Sequence, residues 1–204
     1  MRYRLTLTAF VSVLALAAPT GALASPTATA ATANAADKAF VREMVPHHEM
    51  AVEMADMAKM DATHKAVRQL ARRITKAQNA EISMMKGIAK RLGVKVESMP
   101  ENGTMGDQMM SDLETLGVSM DDSGMMMDMH ELHGAKPFDR KFIDMMIPHH
   151  QGAIRMARAE LAKGTDSALR KIARGIVSDQ AKEIRQMNAW RKAWYGTSSP
   201  GGGN

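Results

Sequence analysis

One segment of the chain occurs twice, and this repeat constrains the fold more than any other feature of the sequence. Residues 40–55 (FVREMVPHHEMAVEMA) and residues 142–157 (FIDMMIPHHQGAIRMA) align at a shift of 102 positions, with Pro-His-His matched in both. The same shift, without a gap, aligns positions further along the chain: Ala71, Arg72, Ile74, Gln78, Glu81, Ile82 and Met85 with Ala173, Arg174, Ile176, Gln180, Glu183, Ile184 and Met187. The fold must therefore contain one unit of about fifty residues twice.

Each unit shows the spacing of two packed helices. Matched positions recur at alternating intervals of three and four residues, which is typical of the contact stripe, or seam, of a helix in a bundle. The seams of the first unit are Phe40, Met44, His47, Ala51, Met54 and Ala58, then Val67, Ala71, Ile74, Gln78, Glu81, Met85, Ile88 and Leu92. The short segment 61–64 between them predicts an antiparallel hairpin. With only 4% aromatic residues, the chain is predicted to be all-α, a four-helix bundle made of two repeated α-hairpins joined by a long Met-rich connector.

The predicted boundaries follow from this repeat and from the composition of the remaining segments. Asp37 is expected to be the N-cap of the first helix, and a short helix is expected at 107–116 in the connector. The predicted segments are a signal peptide at 1–24, a disordered leader at 25–36, hairpin one at 37–93, the connector at 94–136, hairpin two at 137–195 and a disordered tail at 196–204.

The N-terminus has the pattern of a secretory signal. Arg2 and Arg4 precede an apolar run at 5–18, and Ala22-Leu23-Ala24 forms a small-residue cleavage site. The run is too short for a membrane anchor, so we expect an exported protein, periplasmic or secreted, without a stable anchor after cleavage. The formal charge of +5 falls to +3 when this segment is removed. Because its basic and acidic residues are mixed along the helices, we expect no nucleic-acid partner.

Polar residues occupy seam positions where a helix normally carries aliphatic ones. Counting from the hairpin turn places His47 level with Gln78, and Met44 level with Glu81, while His48 lies about 100° round the helix, on the flank of the seam. Burying such groups without partners costs several kcal/mol, so we expect each to have one. Pro46 and Pro148 lie inside their helices and are expected to kink them beside the histidine pairs.

The chain contains 21 Met and no Cys, which, together with the histidines, favours a soft ion. Thioether and imidazole donors suit copper, above all Cu(I), whereas hard ions prefer carboxylates. The predicted metal ligands are Met44, His47, His48, Met85, Met146, His149, His150 and Met187, with Gln78, Glu81, Gln180 and Glu183 as their supporting partners. A further metal site is predicted in the connector, at Met125, Met126, Met127, Met129, His130 and His133, whose Gly, Asp and Ser neighbours argue against a core position. The alternative interpretation is a His-Gln-Glu hydrogen-bond layer that sets helix register, with Met as adaptable core filler.

The segment MIPHHQGAIRMA, followed by Gln-x-x-Glu-Ile-x-x-Met at 180–187, resembles domain-of-unknown-function family 305. This resemblance covers about residues 37–195 and implies a ferritin-like fold, export and, from some relatives, periplasmic copper binding that supports copper resistance. By motif it extends to Met44, His47, His48, Gln78, Glu81, Met85 and their equivalents in the second copy. One departure is that Met50 in the first copy corresponds to Gly152 in the second, so the two sites are expected to differ in affinity.

Three functions remain open from the sequence. The first is an exported protein that sequesters Cu(I) or hands it to a copper-delivery or efflux partner, without catalysis. The second is a ferritin-like oxidase with a dinuclear metal centre, which needs a carboxylate from each helix and Glu-x-x-His pairs. Glu81 and Glu183 are the only glutamates that the repeat matches, and the His-bearing helices share no Glu between the copies, so this is disfavoured. The third is a structural or partner-binding bundle without metal.

Overall fold

The computed structural model describes residues 32–98 and 106–197, and every regular element in these two ranges is helical. The long helices are α1 (Ala35–Asp61), α2 (Lys65–Arg91), α5 (Phe138–Lys163) and α6 (Ser167–Tyr195). The connector carries α3 (Asp107–Leu116), α4 (Met120–Ser123) and one 3-10 turn (Met129–Leu132). The predicted all-α bundle of two hairpins is confirmed. The predicted signal peptide and residues 198–204 of the predicted tail lie outside the described residues.

The start of α1 differs from the prediction. Asn34, not Asp37, is the N-cap: its side chain accepts from the backbone N–H of Asp37 at 3.1 Å, and the Asp37 carboxylate accepts from the Asn34 N–H at 2.7 Å. This reciprocal pair is a capping box, in which the acidic residue stands three positions after the cap. The predicted leader at 25–36 consequently ends too late, because Ala35 and Ala36 are helical and the Asn34 amide donates to the Lys163 carbonyl at 2.7 Å.

Asp37 also joins the two hairpins at this end of the bundle. Its carboxylate accepts hydrogen bonds from the backbone N–H groups of Thr165 (3.0 Å) and Asp166 (2.8 Å) in the α5–α6 turn. The neighbouring Glu160 is fully buried, and burial together with the Asp37 carboxylate raises its pKa to about 9. Glu160 is therefore a neutral acid at pH 7, so Asp37 carries the single negative charge of the Asp37–Glu160 pair.

A layer of polar side chains divides the apolar core into two clusters. The first cluster contains residues of α1 up to Val45 and residues of α5 from Ala153 onwards. The second cluster contains residues of α1 from Met50 onwards and residues of α5 up to Ile147. The order is reversed because the two helices run in opposite directions. The two Pro-His-His segments therefore meet at the same height in the bundle. We call the buried side chains at this height the polar layer: His47, His48, Gln78, His149, His150 and Gln180.

The connector is part of the packed fold. α3 lies against α1, where Arg42 and Asp112 form an ion pair at 2.5 Å, and α4 packs on α5. Leu113 belongs to the first core cluster, and Leu132 to the second. Within the described residues, no helix combines the length and apolar character that crossing a membrane requires.

Candidate metal centre

The two repeats bring their histidines together at the centre of the bundle. The ring centroids of His47 and His149 are 3.7 Å apart, with the rings tilted by 40°. Both side chains are completely buried, as are those of His48 and His150. The sequence left open whether the two motif copies form one site or two, and the structure places all four imidazoles in one layer. Both α1 and α5 remain helical through Pro46 and Pro148.

The second histidine of each pair is bound to the repeated glutamate. His48 Nε2 lies 2.8 Å from Glu81 Oε2, and His150 Nε2 lies 2.8 Å from Glu183 Oε2. The sequence placed His48 on the flank of the seam and Glu81 level with Met44, and it did not predict the bond between His48 and Glu81. The 100° turn from the first to the second histidine directs His48 towards α2 rather than towards solvent, because α1 is covered there by its own hairpin partner. Each glutamate is 20% exposed, so each pair extends from the buried layer to the surface.

His47 has a backbone partner from the connector. Its Nε2 lies 3.1 Å from the carbonyl oxygen of Ser123, the last residue of α4. This approach depends on Gly152, because a Cβ atom at that position would lie only 1.8 Å from the Ser123 oxygen. Gly124 is also close to α5, since an added Cβ there would lie 2.8 Å from the Pro148 carbonyl oxygen, and its φ of +73° favours glycine. Two glycines thus allow the connector backbone to reach the polar layer.

His149 lacks the equivalent partner. Neither of its ring nitrogens makes a hydrogen bond of normal geometry with the described residues, although the side chain has no solvent exposure. The Nδ1 atoms of His47, His48 and His150 are likewise buried without such a bond. The expectation that every polar group of the layer has a partner is therefore wrong. Buried polar atoms without partners are costly and rare in folded proteins, and an ion bound in the native state is one common reason for them.

The imidazoles at the centre of the layer are neutral. Burial lowers the pKa of His47 and of His149 well below the usual 6.5, and the neighbouring histidines lower it further. The backbone of Ser123 raises the pKa of His47, and the backbone of His47 raises the pKa of His149, but the lowering by burial is larger. A neutral imidazole is the form that binds a metal ion, so these two side chains remain able to bind metal at mildly acidic pH.

The predicted thioether ligands are buried around this layer. Met44, Met85, Met146 and Met187 have no solvent exposure. Met44 and Met85 belong to the first core cluster, and Met146 and Met187 to the second, so sulfur atoms lie on both sides of the layer. Met44 and Met146 each precede the first histidine of their motif by three residues. Each methionine therefore lies on the same face of its helix as that histidine.

The supporting partners are only partly as predicted. Gln78 and Gln180 are buried at the level of the histidines, as expected, but their Oε1 atoms have no hydrogen-bond partner among the described residues. Within the ranges 32–98 and 106–197, no group of three or more His, Asp or Glu side chains is arranged to hold a metal ion. The layer is therefore a set of His-Glu pairs and single imidazoles among thioethers.

The predicted connector site is divided between core and surface. Met125 is 2% exposed and belongs to the first core cluster, so the view that no residue of this tract is core is wrong. Its Gly and Ser neighbours form the close approach to α5 rather than a flexible segment. Met127 and Met129 are half-buried against the second cluster, whereas Met126 is 60% exposed. The rings of His130 and His133, both exposed, have centroids 6.3 Å apart.

The sequence analysis did not identify Ser123 or Gly152 as parts of the site. The departure from the repeat at Gly152, where the first copy has Met50, was the available signal. The role of Gly152 could not be predicted without the path of the connector. The backbone of residues 123–124 fills the space that a side chain at position 152 would occupy.

The fold and the site define a class of protein: an all-helical bundle of two repeated hairpins with a buried layer of paired histidines. The chain matches the family described as Domain of unknown function (DUF305) over residues 37–191, and it belongs to that family. No match to this chain was found among curated proteins.

Solved structures of similar proteins share this fold. The protein CopM in its Cu(I)-bound form is 32% identical, with a TM-score of 0.63, and the match covers 78% of this chain and 97% of CopM. For the Cu(II)-bound form of CopM the identity is 35% and the TM-score 0.64, with the same coverage. A DUF305 protein from Streptomyces coelicolor, named as a secreted protein, is 28% identical with a TM-score of 0.67, over 80% of this chain and 96% of that one.

Proposed function

We propose that this chain is an exported copper-binding protein that holds Cu(I) in its polar layer and sequesters it or hands it on. In this role it contributes to copper tolerance and carries out no catalysis. The observation that carries the proposal is the contact between His47 and His149, two buried and neutral imidazoles from different repeats. Three of their four ring nitrogens have no hydrogen bond of normal geometry among the described residues.

The donor chemistry of the layer favours a soft ion. The layer contains two pairs of histidines, and thioether side chains lie on both sides of it. These include Met44 and Met146, each one helical turn before the histidines of its motif. Thioether sulfur binds Cu(I) and Ag(I) well but Mg²⁺ and Mn²⁺ poorly, because hard ions prefer oxygen. The carboxylates of Glu81 and Glu183 are engaged by His48 and His150. In this proposal they orient the imidazoles rather than bind the ion.

The similarity to CopM supports the choice of ion. Structures of CopM contain Cu(I), Cu(II) and Ag, and the matched region covers nearly all of CopM and most of this chain. Export is supported by the signal-peptide pattern at 1–24 and by the relative from Streptomyces coelicolor that is named as secreted. A protein that carries Cu(I) between cell compartments needs a donor or acceptor, so we include a copper-delivery or efflux protein as the expected partner.

The structural alternative has an observation in its favour. His47 is bonded to the Ser123 carbonyl, and His48 and His150 are bonded to glutamates, which is how a layer that sets helix register would look. That alternative explains three of the four histidines. It does not explain His149, which has no contact with solvent and no hydrogen bond of normal geometry within residues 32–98 and 106–197. The dinuclear oxidase remains disfavoured, because each repeat contributes only one matched glutamate, Glu81 or Glu183, and a histidine binds it.

A competition titration tests the proposed selectivity. The protein should take Cu(I) from a chromophoric Cu(I) chelator at stoichiometric concentration, and Ag(I) should displace it. Mn(II) or Fe(II) at a large excess should not displace it, because the layer offers sulfur and imidazole rather than a carboxylate cage. Retention of Mn(II) or Fe(II) as tightly as Cu(I) would contradict the proposal and favour the oxidase.

A further inference from the structure

The two halves of the polar layer have the same ring geometry. The centroids of His47 and His48 are 6.3 Å apart with the rings at 53°, and those of His149 and His150 are 6.4 Å apart at 55°. In each half the second histidine lies 2.8 Å from its glutamate. The side chains of the two copies therefore follow the repeat, and a position next to one histidine pair has a counterpart next to the other.

The surroundings of the two halves differ at one such position. The Nε2 atom of His47 is met by the Ser123 carbonyl, which lies against Gly152 on α5 so closely that it occupies the place of a side chain at that residue. The shift of 102 residues maps Gly152 onto Met50 on α1, and His47 onto His149 on α5. By this correspondence, the side chain of Met50 begins where the repeat places the counterpart of the Ser123 carbonyl oxygen, which in the other half meets the Nε2 atom of His47.

The burial of Met50 agrees with this placement. Only 9% of the residue is exposed, and it packs in the second core cluster with Met146 and Ile147, which directly precede Pro148 and His149 on α5. In the part of the chain that the structure describes, both ring nitrogens of His149 lack a hydrogen bond of normal geometry. A thioether is a weak hydrogen-bond acceptor but a good ligand for a soft ion, so the group that replaces the carbonyl in this half is suited to binding metal.

We infer that Met50 is a ligand of the bound soft ion, and that its sulfur and a ring nitrogen of His149 form an asymmetric site in one half of the layer. In the other half the Ser123 carbonyl is already bonded to His47, so the first ion binds beside His149. This inference rests on the proposed function, and it adds a ligand that the repeated motif does not contain, because position 152 has no side chain.

The test compares two methionine variants of the full-length mature chain. Met50→Leu should bind Cu(I) about tenfold or more weakly in a chelator competition, because one ligand is lost. Met57→Leu is the matched control, because Met57 is 8% exposed in the same cluster, two helical turns further from the histidines. It should bind as the unchanged protein does. In the unchanged protein, the ¹³C-labelled ε-methyl group of Met50 should shift when one equivalent of Ag(I) is added, and that of Met57 should not.

Two results would overturn the assignment while leaving the proposed function in place: Cu(I) binding by Met50→Leu as tight as that of the unchanged protein, or equal weakening in both variants. A Met50 methyl signal that does not respond to Ag(I), in a protein that binds one equivalent, would do the same. If the unchanged protein binds neither Cu(I) nor Ag(I), the proposed function itself fails, and the assignment of Met50 fails with it.

Discussion

Replacing the four histidines of the polar layer by alanine is expected to abolish tight Cu(I) binding, with a loss of about 100-fold or more in affinity. The rings of His47 and His149 are in contact, so each histidine pair is expected to affect the site of the other. Replacing one pair alone, His47→Ala with His48→Ala or His149→Ala with His150→Ala, should therefore remove more than half of the bound Cu(I). The measurement is a chelator competition on each variant, with helicity followed by circular dichroism.

Loss of fold must be separated from loss of ligands in this experiment. Removing His48 leaves Glu81 without its partner and should cost about 1–3 kcal/mol of unfolding free energy. A second set with His→Gln keeps a polar side chain in the layer but removes the imidazole, and it should lose copper in the same way. The control pair His130→Ala with His133→Ala alters exposed connector residues and should leave the tight site intact. Full copper binding by the quadruple variant would show that the layer is structural.

Gly152→Ala is expected to be more destabilising than the same change at Gly87 or Gly175, the other glycines inside the long helices that the structure describes. The added Cβ would lie 1.8 Å from the Ser123 carbonyl oxygen and 2.8 Å from the Gly124 nitrogen. Both are backbone atoms, so no rotamer change relieves the clash, and the connector must move away from α5. Overpacking of this kind costs about 1–3 kcal/mol or more, and the bond between His47 and Ser123 is lost with it. Urea denaturation measures the stability, and limited proteolysis at 117–135 reports whether the connector has been released.

The matched control for this change is Gly87→Ala on α2. No atom lies within 4 Å of a Cβ atom added there, so the substitution should stabilise the helix by about 0.5–1 kcal/mol. A Gly152→Ala variant as stable as the Gly87→Ala variant would contradict the role given to the connector backbone in the layer.

The repeat and its helical spacing were sufficient to predict the architecture. The short helix expected at 107–116 is α3, and the predicted second hairpin contains α5 and α6. The ends of α6 carry the Asp166 N-cap and the Gly196 C-cap, signals that act within a few residues and can be read from a sequence. The placement of His47 level with Gln78 also holds, because two helices joined by a short turn have a fixed relative height.

The remaining features depend on packing that the sequence does not encode locally. The contact of His48 with Glu81 depends on the rotation of α2 about its own axis relative to α1. The spacing of seam positions does not determine this rotation. The burial of Met125 and the bond from His47 to Ser123 require the path of the connector, whose only sequence signal was a glycine at 152. Pairing errors of this kind are expected where a site is assembled from segments far apart in the chain.

Metal analysis of the protein purified from copper-supplemented cells tests directly whether the polar layer binds copper. We expect bound copper and little iron or manganese in the protein with the native polar layer, and no copper in the variant lacking His47, His48, His149 and His150. Stoichiometric iron or manganese would contradict it, as would a protein that contains no metal, or copper content that is unchanged when the four histidines are removed.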